Sequence, residues 1–181
     1  PRRPPRRLGP PGGGGGRPVA FLASTVSSKL LGAMAAAEGF RFEETLTGFK
    51  WLGTRALQLE AEGYDVPFAF EEAIGFMFGG GALARDKDGV AAACVAVELA
   101  LDLYRSGSSL AQRLSEIYEA YGHFRGRQGY FTADDPAKTA AVFSRLRAEG
   151  GYPRALAGMA VEGVRDLGTG LDTLRPGGRT D

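Results

Sequence analysis

The sequence predicts an α/β domain, a mixed or mostly parallel sheet with helices on both faces, behind a disordered N-terminal tail. Three observations carry that prediction. Short apolar runs suited to strands alternate with helix-length amphipathic segments, the pattern of βαβ units. The connections are short, and Gly39 and Gly63 stand where helices would stop. The chain has 181 residues with 44% hydrophobic content, enough for one such domain with a real core.

Taken in order, Val19 to Ala23 is an apolar run read as the first strand. A serine among Ser24 to Ser28 suits the cap of a helix beginning near Lys29, with Leu30, Leu31 and Met34 on its buried face. Phe40 to Glu44 alternates apolar and polar residues, as a half-buried strand does. Strand, helix and strand at this spacing form a parallel pair with a right-handed crossover. After a turn at Thr45 to Gly48, a helix runs from Lys50 to Glu62, and Val66 to Phe70 is a buried strand. Gly75 to Ala84 is glycine-rich, and Gly79 to Gly81 read as a mobile loop outside the core.

Asp88 stands as the N-cap of a helix from Gly89 to Arg105, whose apolar residues on all sides, Cys94 included, predict burial between layers. Ser109 and Gln112 make a capping box for a helix lined by Leu110, Leu114, Ile117, Tyr118 and Tyr121 and closed by Gly122. Phe124 to Phe131 is expected to be a strand interrupted by glycine turns. Asp135 and Pro136 open a helix that runs to about Ala148. Gly158 to Asp166 reads as a last strand, and Leu167 to Asp181 trails off without a core-forming element.

Charge and composition restrict the function classes. Residues 1–18 hold five arginines and no acid, so the rest carries 17 Lys and Arg against 21 Asp and Glu, a net of −4. The globular part has no basic footprint for nucleic acid. The arginine-rich tail is weak ground for an RNA contact; a solvated tail, or the translated edge of an imperfect gene model, accounts for it as well. No run reaches the apolar length of a membrane helix, and no partner membrane is expected. The single Cys94 fits a reducing compartment such as the cytoplasm, and the single His123 argues against a zinc site of His/Cys type.

Three polar clusters fall at element ends, where an α/β domain exposes backbone and side chains to a ligand: Thr47-Gly48-Phe49-Lys50, Glu71-Glu72 and Arg85-Asp86-Lys87-Asp88-Gly89. Neighbouring residues of an extended segment point to opposite faces, so only one of the two glutamates faces a cleft. Ionised carboxylates accept strongly from sugar hydroxyls, but composition alone favours a solvated loop for the pair. A glycosidase pair needs carboxyls about 5–10 Å apart, which adjacent strand residues do not provide. Lys50 and Lys87 are candidate phosphate contacts or plain surface lysines. The Gly-Lys-Ser/Thr of a P-loop does not follow Gly79 to Gly81. Arg125-Gly126-Arg127 is one copy of an RGG-like element and reads as a turn; Trp51 reads as packing.

These residues also carry a resemblance. Glu43-Glu44-Thr45-Leu46-Thr47-Gly48-Phe49-Lys50-Trp51, Phe68 to Gly75 and Asp86-Lys87-Asp88-Gly89-Val90 resemble the α-D-phosphohexomutase superfamily, in the phosphopentomutase/phosphoglucomutase-2 branch that includes glucose-1,6-bisphosphate synthase. Thr25 to Lys29 and Val164 to Gly170 extend the likeness to roughly residues 19–172. The resemblance implies a mutase that moves phosphate within a pentose or hexose phosphate through a sugar bisphosphate intermediate, with Mg²⁺ as cofactor. It implies that residues 19–150 are the third, sugar-binding domain of four, and that residues 151–181 lead towards a C-terminal phosphate-binding domain. It assigns Thr47, Gly48, Lys50, Glu71, Glu72 and Lys87 to the substrate, and sugar phosphates (ribose or glucose phosphates) as the partners. Glu71 would accept from sugar hydroxyls. Ala73 stands where the family often has a serine, which removes one hydroxyl contact.

The family's Ser-His-Asn phosphoserine loop, Asp-x-Asp-x-Asp metal loop and Arg-Thr-Ser-Gly-Thr phosphate loop are not in this sequence. No catalytic residue and no metal ligand are therefore assigned, and the chain is expected to be a fragment inactive by itself. Two alternatives stand beside this reading. A stand-alone sugar-phosphate-binding module would bind ligand unaided. A protein-interaction domain would bind no sugar and would oligomerise with concentration.

Overall fold

The computed structural model describes residues 16–73, 75–78, 84–127, 129, 131–147, 151–174 and 177–178. The expected tail up to residue 15 and the glycine run Gly79 to Gly81 lie outside the described residues. The chain divides into two compact units, Pro1–Arg127 and Gln128–Asp181; the sequence placed a boundary at residue 150.

The first unit is built on a four-stranded sheet. Its strands are β1 (Val19–Ser24), β2 (Arg41–Thr45), β3 (Asp65–Glu71) and β4 (Gly75–Phe78), in spatial order β2-β1-β3-β4. β1 is parallel to both neighbours, with Phe21 opposite Phe42 on one side and Phe68 on the other. β4 returns antiparallel to β3, pairing Ala69 with Met77. Helix α1 (Leu30–Glu38) joins β1 to β2, and α2 (Phe49–Ala61) joins β2 to β3.

The helices cover both faces, as expected. On one face α2 buries Phe49, Leu52, Ala56 and Leu59 against Ala20, Leu22, Val66, Ala69 and Met77. Leu22, Leu52 and Leu59 are fully buried, each contributing roughly 2 kcal/mol of hydrophobic stabilisation. The other face carries the phenylalanines. Phe21 meets Phe40 edge-on at 4.9 Å, and Phe68 stacks near Phe70 at 5.8 Å. Helix α1 lies there, with Gly32 so near the Phe42 ring that an added Cβ would sit 3.1 Å from it.

Helices α3 (Gly89–Arg105) and α4 (Leu110–Tyr121) follow. Both N-caps are those expected: Asp88 accepts from Val90 N and Ala91 N, and the Ser109 hydroxyl accepts from Gln112 N at 3.1 Å. The Tyr121 hydroxyl donates to Glu38 at 2.7 Å and ties α4 to α1.

Several expectations are corrected. Arg17 and Pro18, placed in the tail, are anchored: Arg17 donates to the carbonyls of Glu60 and Gly63, and Asp65 N donates to Pro18 O. Gly75 to Phe78, read as part of a glycine-rich loop, is strand β4, because its alternating side chains place Met77 in the core opposite Ala69. Helix α3 is not buried between layers. Only Leu103 is buried in it, Val90 and Tyr104 are largely exposed, and Cys94 is exposed rather than in the core. An all-round apolar pattern states what a helix is made of, not which layers cover it. No strand forms between Phe124 and Phe131 among the described residues.

The second unit contains α5 (Pro136–Leu146) and two small hairpins, β5 (Ala155–Leu156) with β6 (Met159–Ala160) and β7 (Arg165–Asp166) with β8 (Leu171–Asp172). Asp135 caps α5 through Ala137 N, with Pro136 as its first residue. The single strand expected at Gly158 to Asp166 is thus two separate pieces. The region expected to trail off contributes β8, whose Asp172 is fully buried and accepts from Arg165 Nε at 2.7 Å. Asp166 takes two hydrogen bonds from Arg147, one from the Tyr152 hydroxyl and one from Gly168 N at 2.8 Å. The Arg147 guanidinium, followed by Tyr152, holds the Asp166 carboxyl well below the usual carboxylate range.

Beside α2, Glu43 sits between Arg41 and Arg55, and Arg55 also reaches Glu62 at 2.9 Å. Burial pushes the Glu43 carboxyl up, but the hydrogen bonds from Arg55 and Arg41 outweigh it and leave it below the usual range. A carboxyl lowered in the folded state stabilises at neutral pH, and that stabilisation is lost as pH falls below the ordinary glutamate value of 4.5. Glu43→Gln is expected to cost about 1 kcal/mol at pH 7 and less at pH 3; urea unfolding at both pH values checks it, and equal costs would refute it. An added Cβ at Gly53 would sit 2.6 Å from the Arg85 carbonyl oxygen, a backbone atom that cannot yield easily. Gly53→Ala is therefore expected to destabilise the first unit by roughly 1–3 kcal/mol, read as a lowered denaturation midpoint.

Candidate functional site

The carboxyl ends of three parallel strands meet along one edge of the sheet. β1 ends at Ser24, β2 at Thr45 and β3 at Glu71, and the segment after each enters a polar loop. In open α/β sheets this edge is where ligands bind.

The loop after β2 is Leu46-Thr47-Gly48. Thr47 is exposed. Gly48 has φ 112° and ψ 137°, a conformation that disfavours any residue with a Cβ, and it is the residue from which α2 starts. No side chain within the loop caps α2. Instead the Glu71 carboxylate arrives from the end of β3 and accepts from Gly48 N at 2.8 Å. An acceptor with negative charge at a helix N-terminus is favoured by the unsatisfied N–H groups and the helix dipole. Glu71 is 4% exposed.

Glu72 is the opposite case. It is exposed in the tight turn between β3 and β4. Its backbone N–H donates to the Ser27 hydroxyl at 2.9 Å. Its carboxylate lies beside Gly126, where an added Cβ would sit 3.0 Å from Oε1. The expectation that the two glutamates diverge is borne out by this division.

The third cluster joins from the segment before α3. Asp88 N donates to Phe76 O at 2.9 Å, which fixes this segment against β4. The Lys87 ammonium lies 5.7 Å from the centre of the Phe49 ring and 3.2 Å from Asp86 Oδ1. The Lys87 backbone N–H, then its side chain, hold the Asp86 carboxyl below its ordinary value. An added Cβ at Gly75 would touch the Lys87 Cβ at 3.5 Å, so Lys87 stands close to the Glu71-Glu72 turn. Gly48, Glu71 and Lys87 are thus brought together, with Thr47 beside Gly48 and Glu72 beside Glu71. Lys50 is exposed on the first turn of α2, its ammonium 5.8 Å from the Trp51 ring, and makes no described contact with the other five. Trp51, read as packing, is 45% exposed.

Sequence reasoning missed the role of the loop after β1. Ser24 and Ser27 are buried, their hydroxyl oxygens 2.8 Å apart, and Ser27 is the anchor of the Glu72 backbone. The available signal was two serines directly after an apolar strand. Lys29 reinforces this loop by donating to Thr25 O at 2.8 Å and pairing with Glu44.

The edge therefore presents an exposed carboxylate, an exposed hydroxyl and ammonium groups on a framework of interlocked loops. Carboxylates and hydroxyls can hydrogen-bond to hydroxyl groups, and ammonium groups can pair with phosphate. Among the described residues, no three His, Cys, Asp or Glu side chains group as ligands for a metal ion. The donor set here does not fit the Mg²⁺ that the resemblance implies. No described helix is long and apolar enough to cross a membrane.

Comparison with known proteins gives a consistent result. The chain is 45% identical to glucose 1,6-bisphosphate synthase of Mus musculus over 161 residues, covering 87% of this chain and 26% of that protein. It is 48% identical to phosphopentomutase of Homo sapiens over 159 residues, covering 86% of this chain and 26% of that protein. It is 43% identical to phosphoribomutase of Saccharomyces cerevisiae over 165 residues, covering 86% and 26%. The chain thus spans about a quarter of the length of the curated relatives it matches. No solved structure matches it. The family model described as phosphoglucomutase/phosphomannomutase, alpha/beta/alpha domain III, matches residues 12–121, more than half of the chain. The chain therefore belongs to the phosphoglucomutase/phosphomannomutase family.

Proposed function

We propose that this chain is the sugar-reading portion of a phosphopentomutase or phosphoglucomutase, an enzyme that transfers phosphate within a pentose or hexose phosphate through a bisphosphate intermediate. The observation that carries the reading is the convergence of Gly48, Glu71 and Lys87 at the carboxyl edge of a domain whose relatives are named for these activities. In this reading the six residues Thr47, Gly48, Lys50, Glu71, Glu72 and Lys87 face the substrate with different tasks. The resemblance gave the sugar hydroxyls to Glu71; because that carboxylate is 4% exposed and already accepts from Gly48 N, we pass the task to exposed Glu72, while Thr47 exchanges hydrogen bonds with the sugar and Lys50 and Lys87 supply positive charge towards phosphate. Gly48 lets the backbone approach closely. Glu71 holds the Gly48 loop and lines the floor beneath the sugar. Residues 151–181 serve as the lead into a phosphate-binding domain, and the setting is the cytoplasm.

Phosphoryl transfer needs a nucleophile and neutralisation of the developing charge. The six residues supply neither a phosphorylated serine nor a Mg²⁺ site, so this chain's part is orientation. It holds the sugar by its hydroxyls while the reacting end is presented elsewhere.

Titration of the purified chain with ribose 5-phosphate and glucose 1-phosphate is expected to give dissociation constants on the order of millimolar or tighter. Glu72→Ala and Lys87→Ala are each expected to weaken binding about tenfold, since each removes a charge-assisted contact. Saturation by neither sugar phosphate, with the fold intact by circular dichroism, would refute the reading. A coupled assay on the chain free of host enzyme is expected to show no mutase turnover; measurable turnover would overturn the division of labour.

A further inference from the structure

We infer that Ser27 is a positioning residue that locks the three loops of this edge into one unit, an inference that rests on the sugar-reading assignment. Three hydrogen bonds close a ring around the carboxyl ends of the parallel strands. Thr25 N donates to Thr45 O at 2.9 Å, one step beyond the β1–β2 ladder, and joins the first loop to the second. Gly48 N donates to Glu71 Oε2 at 2.8 Å and joins the second to the third. Glu72 N donates to Ser27 Oγ at 2.9 Å and joins the third back to the first. The first of these is backbone to backbone and indifferent to side-chain identity. The second depends on Glu71, and the third depends on the Ser27 hydroxyl alone.

Ser27 is suited to this task. It is 4% exposed, so water does not readily replace it as the acceptor for Glu72 N. Its own position is fixed twice, by Ser27 N donating to Ser24 O at 3.0 Å and by the contact between the Ser24 and Ser27 hydroxyls at 2.8 Å. Ser24 is fully buried at the end of the central strand, so the reference point of the ring is the rigid part of the sheet. Glu71 and Glu72 are consecutive. The bond at Glu72 N therefore sets where the Glu71 carboxylate begins its reach to Gly48. Loss of the Ser27 hydroxyl frees the turn and loosens Gly48, a residue that Ser27 does not itself hydrogen-bond. A binding surface assembled from loops loses affinity when its supporting contacts leave those loops loose.

The test uses the full chain, amide exchange by NMR and titration with ribose 5-phosphate. Ser27→Ala is expected to speed exchange about tenfold at Glu72 and also at Gly48, while Leu22 and Ala69 in the core keep wild-type rates. The same variant is expected to bind ribose 5-phosphate about tenfold more weakly, and Ser27→Thr, which retains the hydroxyl, to restore both readouts. Ser24→Ala, a milder change that removes only the support of Ser27, is expected to shift both in the same sense by about threefold. Faster exchange confined to Glu72 would overturn the inference, as would unchanged affinity in Ser27→Ala. Should the unaltered chain bind neither ribose 5-phosphate nor glucose 1-phosphate, the sugar-reading assignment fails, and exchange at Gly48 alone then decides whether Ser27 locks the loops.

Discussion

The first unit depends on one constraint, the parallel pairing of β1 with a strand on each side. Parallel strands cannot be joined by a tight turn, so each connection must cross back over a face of the sheet, and helices do so here. The side chains of β1 are committed by this arrangement. Ala20 and Leu22 meet α2, and Phe21 meets the opposite aromatic face. The same constraint delivers Ser24, Thr45 and Glu71 to one edge, which is why residues remote in sequence share a site.

The two glutamates at that edge show how a one-residue step changes chemistry. Glu71 shares the face that α2 covers, and its carboxylate ends at the helix N-terminus, where the unpaired N–H of Gly48 receives it. That end of α2 is consequently occupied by the protein's own anion. Glu72 falls in the turn and keeps its carboxylate at the surface. Of two identical neighbouring side chains, one thus serves as an internal strut and the other stays at the surface.

The second unit uses the same device. Asp166 accepts from Gly168 N while Arg147 and Tyr152 pin it from the other side. Buried Asp172 accepts from Leu174 N and from Arg165. In both units a carboxylate gathers backbone N–H groups from glycine-containing loops that have no ladder to satisfy them. These acids are structural, and for Asp166 the hydrogen bonds from Arg147 and Tyr152 also hold the carboxyl below its ordinary range.

The sequence by itself determined what local chemistry determines. The strand–helix alternation up to Glu71, the caps Asp88, Ser109 and Asp135, and the stops at Gly39 and Gly122 depend on residues within a few positions of one another, and the structure has them all. The polar clusters at element ends were legible for the same reason. What needed a distant partner was not legible. Phe76-Met77-Phe78 became a strand because β3 offered an open edge, Cys94 is exposed because no layer covers that part of α3 among the described residues, and the residues around Gly158 and after it formed hairpins with neighbours the pattern did not mark. The Ser24 to Ser28 segment read only as a source of a helix cap, yet its Ser27 serves as the anchor of a turn 45 residues away. Tertiary structure alone decided these points, because pairing and burial are properties of what packs against a segment rather than of the segment itself.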